Sequence, residues 1–129
     1  MNFWKDKKVM VTGGAGLIGS ALSANLVKCG SKVTIVDNFE RGKLDYISDI
    51  VDHCVVKNAD LREAKFCNLH IKDYDIVIHM ASKVGGIGYY TSRPYEVMSE
   101  NLKMDSNVLS ACVKNKIPMF FYASSAHVY

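Results

Sequence analysis

A glycine-rich segment near the start of the chain has residue types and spacing that could bind phosphate. It reads Thr12-Gly13-Gly14-Ala15-Gly16-Leu17-Ile18-Gly19, after the apolar run Val9-Met10-Val11. An amphipathic segment, residues 17–29, follows, so the glycines join a predicted strand to a predicted helix. A dinucleotide pyrophosphate can approach the unpaired N–H groups at the start of that helix. The approach is open because the glycines carry no side chain that would block it. The flanking pattern favours this site over a turn without a ligand. Its candidate residues are Gly13, Gly16, Leu17, Ile18 and Gly19.

An acidic residue, Asp37, stands where the second predicted strand ends, about 20 residues beyond the glycines. A carboxylate at this position can accept hydrogen bonds from an adenosine ribose, and it would repel a 2′-phosphate. The residue therefore favours NAD over NADP as the cofactor. Two nearby cations, Arg41 and Lys43, weaken that preference because they could accept a phosphate. A solvated turn residue is the alternative interpretation of Asp37.

The fourth predicted strand is followed by a loop of small residues, Ala81 to Tyr90. Small residues let the backbone pass close to a ligand. In an open parallel sheet the ligand lies outside the strand carboxyl ends, where the strand order reverses. Strands one and four flank that point, so the loop is a second candidate wall of the site; a flexible surface loop is the alternative.

Two further polar residues have open interpretations. Asp60 either caps the N-terminus of the next helix or pairs with an adenine amino group. Asn101 is either an exposed helix residue or a buried amide that reaches a ligand or backbone.

Apolar runs alternate with helical patterns along the chain, which is typical of parallel strands joined by crossover helices. Strands are predicted at Lys8–Thr12, Ser31–Val36, His53–Lys57, Asp75–Met80 and Met119–Ala123. Helices are predicted at 17–29, 61–69 and 91–116, with a short one within 42–50. The first and last long helices have predicted buried stripes at Ile18, Ala21, Leu22, Leu26 and at Met98, Leu102, Leu109, Cys112. The fold class is α/β, a Rossmann-type doubly wound parallel sheet of order 3-2-1-4-5, in one domain of residues 1–129.

Composition narrows the classes of function. The chain has 129 residues, 49% of them hydrophobic and 22% charged, which is ordinary for a soluble domain. The net charge of +3 comes from scattered Lys and Arg, so no nucleic-acid partner is expected. There is no apolar run of about eighteen residues or more, so no membrane span is expected. The four cysteines form no C-x-x-C pair, which predicts reduced thiols in the cytoplasm and no metal site.

Taken together, these segments resemble the extended short-chain dehydrogenase/reductases, in particular the NAD-dependent nucleotide-sugar epimerase/dehydratase family. The resemblance covers essentially the whole chain. It is carried by segments 12–19, 36–39, 59–61, 79–82, Asn101 and 124–129. Within the family, Lys83-Val84-Gly85-Gly86-Ile87-Gly88 is most similar to the GDP-sugar members, the GDP-mannose 3,5-epimerases and GDP-L-fucose synthases. Segment 120–126 is similar to the epimerases of that pair.

The resemblance implies a role for each matching residue. Asp37 and Asn38 would bind the adenosine ribose. Asp60 and Leu61 would contact adenine, while Ala81, Ser82, Lys83 and Asn101 would contact the cofactor. Ser125 matches the family's catalytic Ser/Thr, whose hydroxyl bonds the sugar oxygen. His127 stands where the GDP-sugar epimerases have a cysteine, and a histidine could exchange protons beside a transient ketone; a solvated loop residue is the alternative.

One family feature is absent from the sequence. The family's base is a tyrosine with a lysine four residues later, and none of the seven tyrosines here has one. We therefore expect the N-terminal portion of a nucleotide-sugar epimerase, inactive as it stands and without a substrate domain. Alternatives are a dehydratase, an NADPH-dependent reductase or a non-catalytic dinucleotide-binding module. The fifth strand would leave an exposed sheet edge, so a homodimer is possible.

Overall fold

The computed structural model describes residues 2–125 and builds them around one parallel sheet. The strand order is β3-β2-β1-β4-β5, which confirms the predicted order. The strands are β1 (Lys8–Thr12), β2 (Lys32–Asp37), β3 (Cys54–Asn58), β4 (Ile76–His79) and β5 (Met119–Tyr122). Each lies within a residue or two of its predicted position.

Helices connect the strands on both faces of the sheet. They are α1 (Leu17–Lys28), α2 (Ala64–His70), α3 (Ile87–Ser92) and α4 (Pro94–Lys114). Two short 3-10 turns, Leu44–Ile47 and Val51–His53, lie between β2 and β3. The predicted loop after β4 thus contains a helix, α3, and the long helix begins at Pro94 rather than at Thr91. Proline is favoured in a first helical turn, because its missing N–H would have no partner there.

Alternate residues of the central strands bury opposite faces of the sheet. Val9 and Val11 of β1 pack on the α1 side, whereas Met10 packs on the side of α2 and α4. Because side chains alternate along a strand, a strand buried on both faces is apolar throughout. This explains the continuous run that marked β1 in the sequence.

The buried stripe predicted for α4 is wrong. Met98, Leu102 and Leu109 are 60%, 59% and 49% exposed, and only Cys112 of the four is buried. The buried residues of α4 are Val97, Met104, Val108, Ala111 and Cys112. The helix carries apolar residues on two faces, and only contact with the sheet decides which face is covered.

The stripe predicted for α1 is right at Leu26, which is buried, and at Leu22, which is partly buried against the core, and it is wrong at the other two positions for a different reason. Ile18 is exposed and Ala21 is exposed, whereas the small residues Gly19, Ser20 and Ser23 are buried beside Leu26. A Cβ atom on Gly19 would overlap the carbonyl of Gly13. The helix therefore lies so close to the glycine turn that small side chains must face inward.

The register of the sheet brings the candidate segments to one edge. Thr12 pairs with Val36 of β2 on one side and with His79 of β4 on the other. The N–H of Gly13 donates to the Val36 carbonyl at 2.8 Å, and the N–H of Met80 donates to the Thr12 carbonyl at 3.1 Å. The glycine turn, Asp37 and the segment after β4 therefore meet at the carboxyl ends of the central strands.

In the described residues, no helix is long and apolar enough to cross a membrane.

The close contact between α1 and the glycine turn leads to a stability prediction. We expect Gly19→Ala to lower the free energy of unfolding by about 1–3 kcal/mol, because the added methyl forces the helix away from the turn. Urea unfolding followed by the fluorescence of Trp4 measures the change. Gly88→Ala in α3 is the control, since a Cβ there meets no atom within 4 Å. Equal stability of the two variants would contradict the prediction.

Candidate functional site

A cleft of about 820 Å³ opens at the carboxyl ends of β1, β2 and β4. This volume lies within the range of small-molecule and cofactor sites. Of the predicted cofactor residues, the cleft is lined by Gly13, Gly16, Leu17, Ile18, Gly19, Asp37, Asn38, Leu61, Ala81, Ser82 and Lys83. Asp60, Asn101 and Ser125 are not among its lining residues. His127 lies outside the residues that the structure describes.

The N-terminus of α1 faces this cleft without a side-chain cap. Its N-cap residue is Gly16, in an extended conformation with no capping hydrogen bond. The first N–H groups of a helix have no partner within the helix, and the helix dipole favours an anion beside them. The closest atom that a Cβ on Gly16 would meet is the Gly13 carbonyl oxygen, at 3.2 Å. A phosphate could therefore approach these amides closely, as the glycine spacing predicted.

Gly13 has a separate structural requirement. Its φ is +65°, in the left-handed region, and a Cβ there would lie 2.8 Å from the Ala81 Cα. The turn after β1 and the segment after β4 therefore touch at this glycine. Only glycine allows both the conformation and the contact.

The Asp37 carboxylate is buried and bound by two backbone amides. Its Oδ2 accepts from the N–H of Ala15 at 3.0 Å, and its Oδ1 accepts from the N–H of Phe39 at 2.9 Å. Asp37 is only 8% exposed, so the interpretation as a solvated turn residue is wrong. A carboxylate has about four acceptor positions, which leaves two for a ligand in the cleft. Asp37 thus joins the glycine turn to the end of β2 and can still accept hydrogen bonds from hydroxyls.

Sequence reasoning missed Gly42, which packs on this carboxylate. A Cβ on Gly42 would lie 2.7 Å from Asp37 Oδ1. The residue follows β2 in an irregular segment, so nothing in the local pattern marked it as part of the site.

Asn101 of α4 holds the loop after β4. Its Oδ1 accepts from the N–H of Lys83 at 2.7 Å and from the Ser82 hydroxyl at 3.2 Å, and its Nδ2 donates to the Lys83 carbonyl at 3.1 Å. Of the alternatives left open by the sequence, the structure shows an amide that reaches backbone. Direct contact between Asn101 and a cofactor stays a prediction.

Asp60 is paired with Arg62 rather than capping a helix. Its Oδ1 accepts from the Arg62 N–H at 2.9 Å, while α2 begins later, at Ala64, with Glu63 as its N-cap. The hydrogen bond from the Arg62 side chain lowers the pKa of the Asp60 carboxyl. The N-cap interpretation is therefore wrong, and contact between Asp60 and adenine stays a prediction.

Arg62 itself lines the cleft and was missed by sequence reasoning. Its guanidinium binds Glu40 at 2.8 Å and Glu100 at 2.7 Å in addition to Asp60. Lys83 extends the network through Glu100 at 2.7 Å and Glu96 at 3.2 Å. The carboxylates in this network come from three separate segments, after β2, after β3 and on α4, so no spacing in the sequence could indicate them.

Ser125 is exposed and lies three residues beyond the end of β5. Its role in catalysis stays a prediction. In the described residues, no group of three or more His, Cys, Asp or Glu side chains could hold a metal ion. Burial raises the pKa of the Cys67 and Cys112 thiols to about 11, so neither is a ready nucleophile at neutral pH.

Comparison with known proteins gives a family match over nearly the whole chain. Residues 9–129 match the NAD dependent epimerase/dehydratase family. Over 123 residues, the chain is 33% identical to a UDP-N-acetyl-alpha-D-glucosaminuronate decarboxylase of Bacillus cytotoxicus, covering 95% of this chain and 38% of that protein. It is 30% identical to GDP-mannose 3,5-epimerase 1 of Oryza sativa subsp. indica, covering 98% of this chain and 33% of the relative.

A solved structure shows the same fold. The UDP-glucose-4-epimerase of Stenotrophomonas maltophila, with bound NAD and formylated UDP-arabinopyranose, matches with a TM-score of 0.85 and 28% identity. The match covers 95% of this chain and 38% of that one, so the chain spans less than two fifths of these three relatives. The glycine turn and the buried carboxylate after β2 fit a dinucleotide site, and the family match gives the same assignment. The chain belongs to the NAD-dependent epimerase/dehydratase family, whose cofactor is NAD.

Proposed function

We propose that this chain is the cofactor-binding portion of an NAD-dependent nucleotide-sugar epimerase. The observation that carries the proposal is the Asp37 carboxylate, which is bound to the glycine turn and lines the same cleft as the uncapped end of α1. NAD, when bound, accepts a hydride from a sugar carbon and later returns it. The residues of the chain bind and orient the two reacting molecules.

The two phosphates of the cofactor would lie at the N-terminus of α1. The backbone N–H groups of Leu17, Ile18 and Gly19 would donate to them, and Gly13 and Gly16 would leave room for their approach. The ribose hydroxyls beside adenine would bind Asp37, with Asn38 next to it. Leu61 and Asp60 would contact adenine, and Arg62 is the member of the Asp60 pair that reaches the cleft.

The preference for NAD over NADP is supported by the positions of the nearby cations. Arg41 lines the cleft, and its guanidinium donates to the carbonyl of Val84 at 2.7 Å, in the loop that follows β4. The Lys43 ammonium lies 5.7 Å from the centre of the Tyr46 ring. Both side chains have other partners, whereas Asp37 presents a negative charge to a 2′-phosphate.

The substrate would enter beside the loop after β4, where Ala81, Ser82 and Lys83 line the cleft. Ser125 would bind the sugar oxygen that is oxidised, and His127 would exchange the proton beside the resulting ketone. We propose a GDP-sugar as the substrate because of the similarity of segment 83–88 to the GDP-sugar members. Of the three relatives above, two are named for UDP-sugars and one for a GDP-sugar, so a UDP-sugar is the alternative substrate.

Two further properties belong to the proposal. We place the protein in the cytoplasm, in keeping with four unpaired cysteines in the described residues. We also propose a homodimer. The support is a stripe of exposed large side chains along the outer face of α4, formed by Tyr95, Met98, Leu102, Leu109 and Val113. Apolar patches of this kind mark interaction surfaces.

The cofactor assignment predicts that the 129-residue chain binds NAD more tightly than NADP. We expect Asp37→Asn to weaken NAD binding by about tenfold, because the amide cannot accept from both backbone N–H groups and both ribose hydroxyls. Isothermal titration calorimetry with each nucleotide measures the affinities. Asp45→Asn, at an exposed aspartate nearby, should bind NAD as the parent chain does. Tighter binding of NADP would overturn the assignment.

The missing tyrosine–lysine pair predicts that this chain alone does not epimerise a nucleotide sugar. We expect no conversion of GDP-mannose or UDP-N-acetylglucosamine in the presence of NAD, measured by NMR of the sugar signals, because no base is available to take the hydroxyl proton. The rice GDP-mannose epimerase serves as the active control. Turnover by the 129-residue chain would refute this prediction.

The exposed stripe of α4 predicts a dimer at micromolar concentration. We expect Leu102→Glu to give a monomer, because it places a charge in the apolar contact. Sedimentation equilibrium measures the mass of each variant. Leu69→Glu changes a leucine on α2 that is also exposed, and it should leave the dimer intact. A monomeric parent chain would exclude the proposed dimer.

A further inference from the structure

Four side chains form a continuous line of hydrogen bonds from the surface at β5 to Thr12, which is bonded to backbone that lines the cleft. The Tyr122 hydroxyl donates to Asp105 Oδ2 at 2.7 Å. The other carboxylate oxygen, Oδ1, lies 3.0 Å from His79 Nε2. The second ring nitrogen, Nδ1, lies 2.6 Å from Thr12 Oγ1. The cofactor site described above uses none of the four side chains directly.

The donors and acceptors in this line determine where each proton lies. Thr12 Oγ1 already accepts from the N–H groups of Met80 and Ala81, each at 3.2 Å, and the Met80 N–H is shared with the Thr12 carbonyl oxygen at 3.1 Å. Its own proton must therefore point to His79 Nδ1, which accepts it and carries no hydrogen. The hydrogen of the neutral imidazole is then on Nε2 and donates to Asp105. Every polar atom in the line has a partner only in this tautomer.

Burial keeps His79 neutral despite the carboxylate beside it. The residue is 1% exposed and Thr12 is fully buried. Desolvation lowers the pKa of His79 below its ordinary value of 6.5, while Asp105 acts in the opposite direction and more weakly. The titratable groups that contact the ring are Asp105 from α4 and Tyr122 from β5, whose ring centre lies 5.9 Å away. The hydrogen bond to Asp105 raises the pKa of Tyr122, which keeps its hydroxyl protonated and donating.

The end of the line is in contact with the cleft. Met80 and Ala81 line the cleft, and Ala81 touches Gly13 so closely that Gly13 has no room for a side chain. The two N–H groups held by Thr12 Oγ1 therefore set the position of the backbone that faces the glycine turn.

We propose that His79 is a positioning residue for the cofactor cleft. Asp105 selects its Nε2–H tautomer, and this tautomer orients the Thr12 hydroxyl so that its oxygen holds Met80 and Ala81 against the glycine turn. The proposal rests on the proposed function, because the backbone it positions is a wall of the NAD site. A protonated His79 would have a hydrogen on both ring nitrogens. Thr12 Oγ1 would then have to give up its hydrogen bond from Met80 or Ala81 in order to accept one from Nδ1–H.

Protonation therefore couples acid pH to stability and to the cleft. Because the folded-state pKa of His79 lies below 6.5, the unfolded chain takes up this proton first as the pH falls. The contribution of neutral His79 to stability is complete above pH 6.5 and is lost as the pH falls from there to the folded-state pKa. Affinity for NAD falls when the folded state itself takes up the proton.

The tautomer is tested without any ligand by nitrogen-15 NMR of the imidazole in the 129-residue chain. We expect the Nδ1 signal in the range of an unprotonated nitrogen and the Nε2 signal in that of a protonated one, with a titration midpoint below pH 6.5. The opposite tautomer, or a midpoint above the ordinary value, would overturn the proposal.

The positioning role is tested by calorimetry of NAD binding to three threonine variants. Thr12→Val, which keeps the shape but removes the hydroxyl, should weaken NAD binding by about tenfold. Thr12→Ser should recover most of that loss, because it restores the hydroxyl. Thr34→Val is the matched control, since it removes a buried hydroxyl on β2 that is bonded to Tyr74, away from the cleft. It should bind NAD as the parent chain does.

The outcomes separate the two proposals. If the parent chain binds NAD and Thr12→Val binds it as tightly as Thr34→Val does, the positioning role is wrong and the proposed function stands. If the parent chain does not bind NAD while NMR shows the Nε2–H tautomer, the proposed function and the positioning role both fail and only the hydrogen-bond line remains.

Discussion

The contact between the glycine turn and the segment after β4 is the constraint on which the site depends. Thr12 lies between Val36 and His79 in the sheet register, so the chain leaves β1 with β2 on one side and β4 on the other. A turn at this point must pass close to both neighbouring segments. Gly13 meets this requirement with a left-handed φ and no side chain against Ala81, and the cleft opens where the two segments diverge.

Polar side chains of the protein itself hold the walls of the cleft in place. Asp37 binds the glycine turn through the Ala15 amide, Asn101 binds both backbone groups of Lys83, and Thr12 binds two amides after β4. Each is a buried or half-buried group bonded to backbone at the ends of strands or in the loops that follow them. A wall held in this way is preorganised, which reduces the ordering cost of binding a cofactor.

Charge is arranged on the same edge of the sheet. Arg62 and Lys83 bind carboxylates from the segments after β2 and β3 and from α4. Partly exposed ion pairs contribute little individually to stability, and networks contribute more. The network's main consequence is geometric, since it ties α4 to the loops that surround the cleft and leaves the Asp37 carboxylate available.

The sequence by itself predicted the five strands, the helices α1, α2 and α4 and the residues of the glycine turn, because these depend on local periodicity and on the absence of side chains. The strand order followed from the fold class that this alternation favours, whereas the helix α3 was missed. The sequence also identified Asp37 through its distance from the glycines. Only the tertiary structure decided which face of α4 is covered, since Met98 and Val97 are equally apolar and the sheet contacts one of them. The partners of Asp60, Asn101 and His79 were decided there too. The bond between Thr12 and His79 joins residues 67 positions apart, and no local pattern specifies which polar groups meet over such a separation.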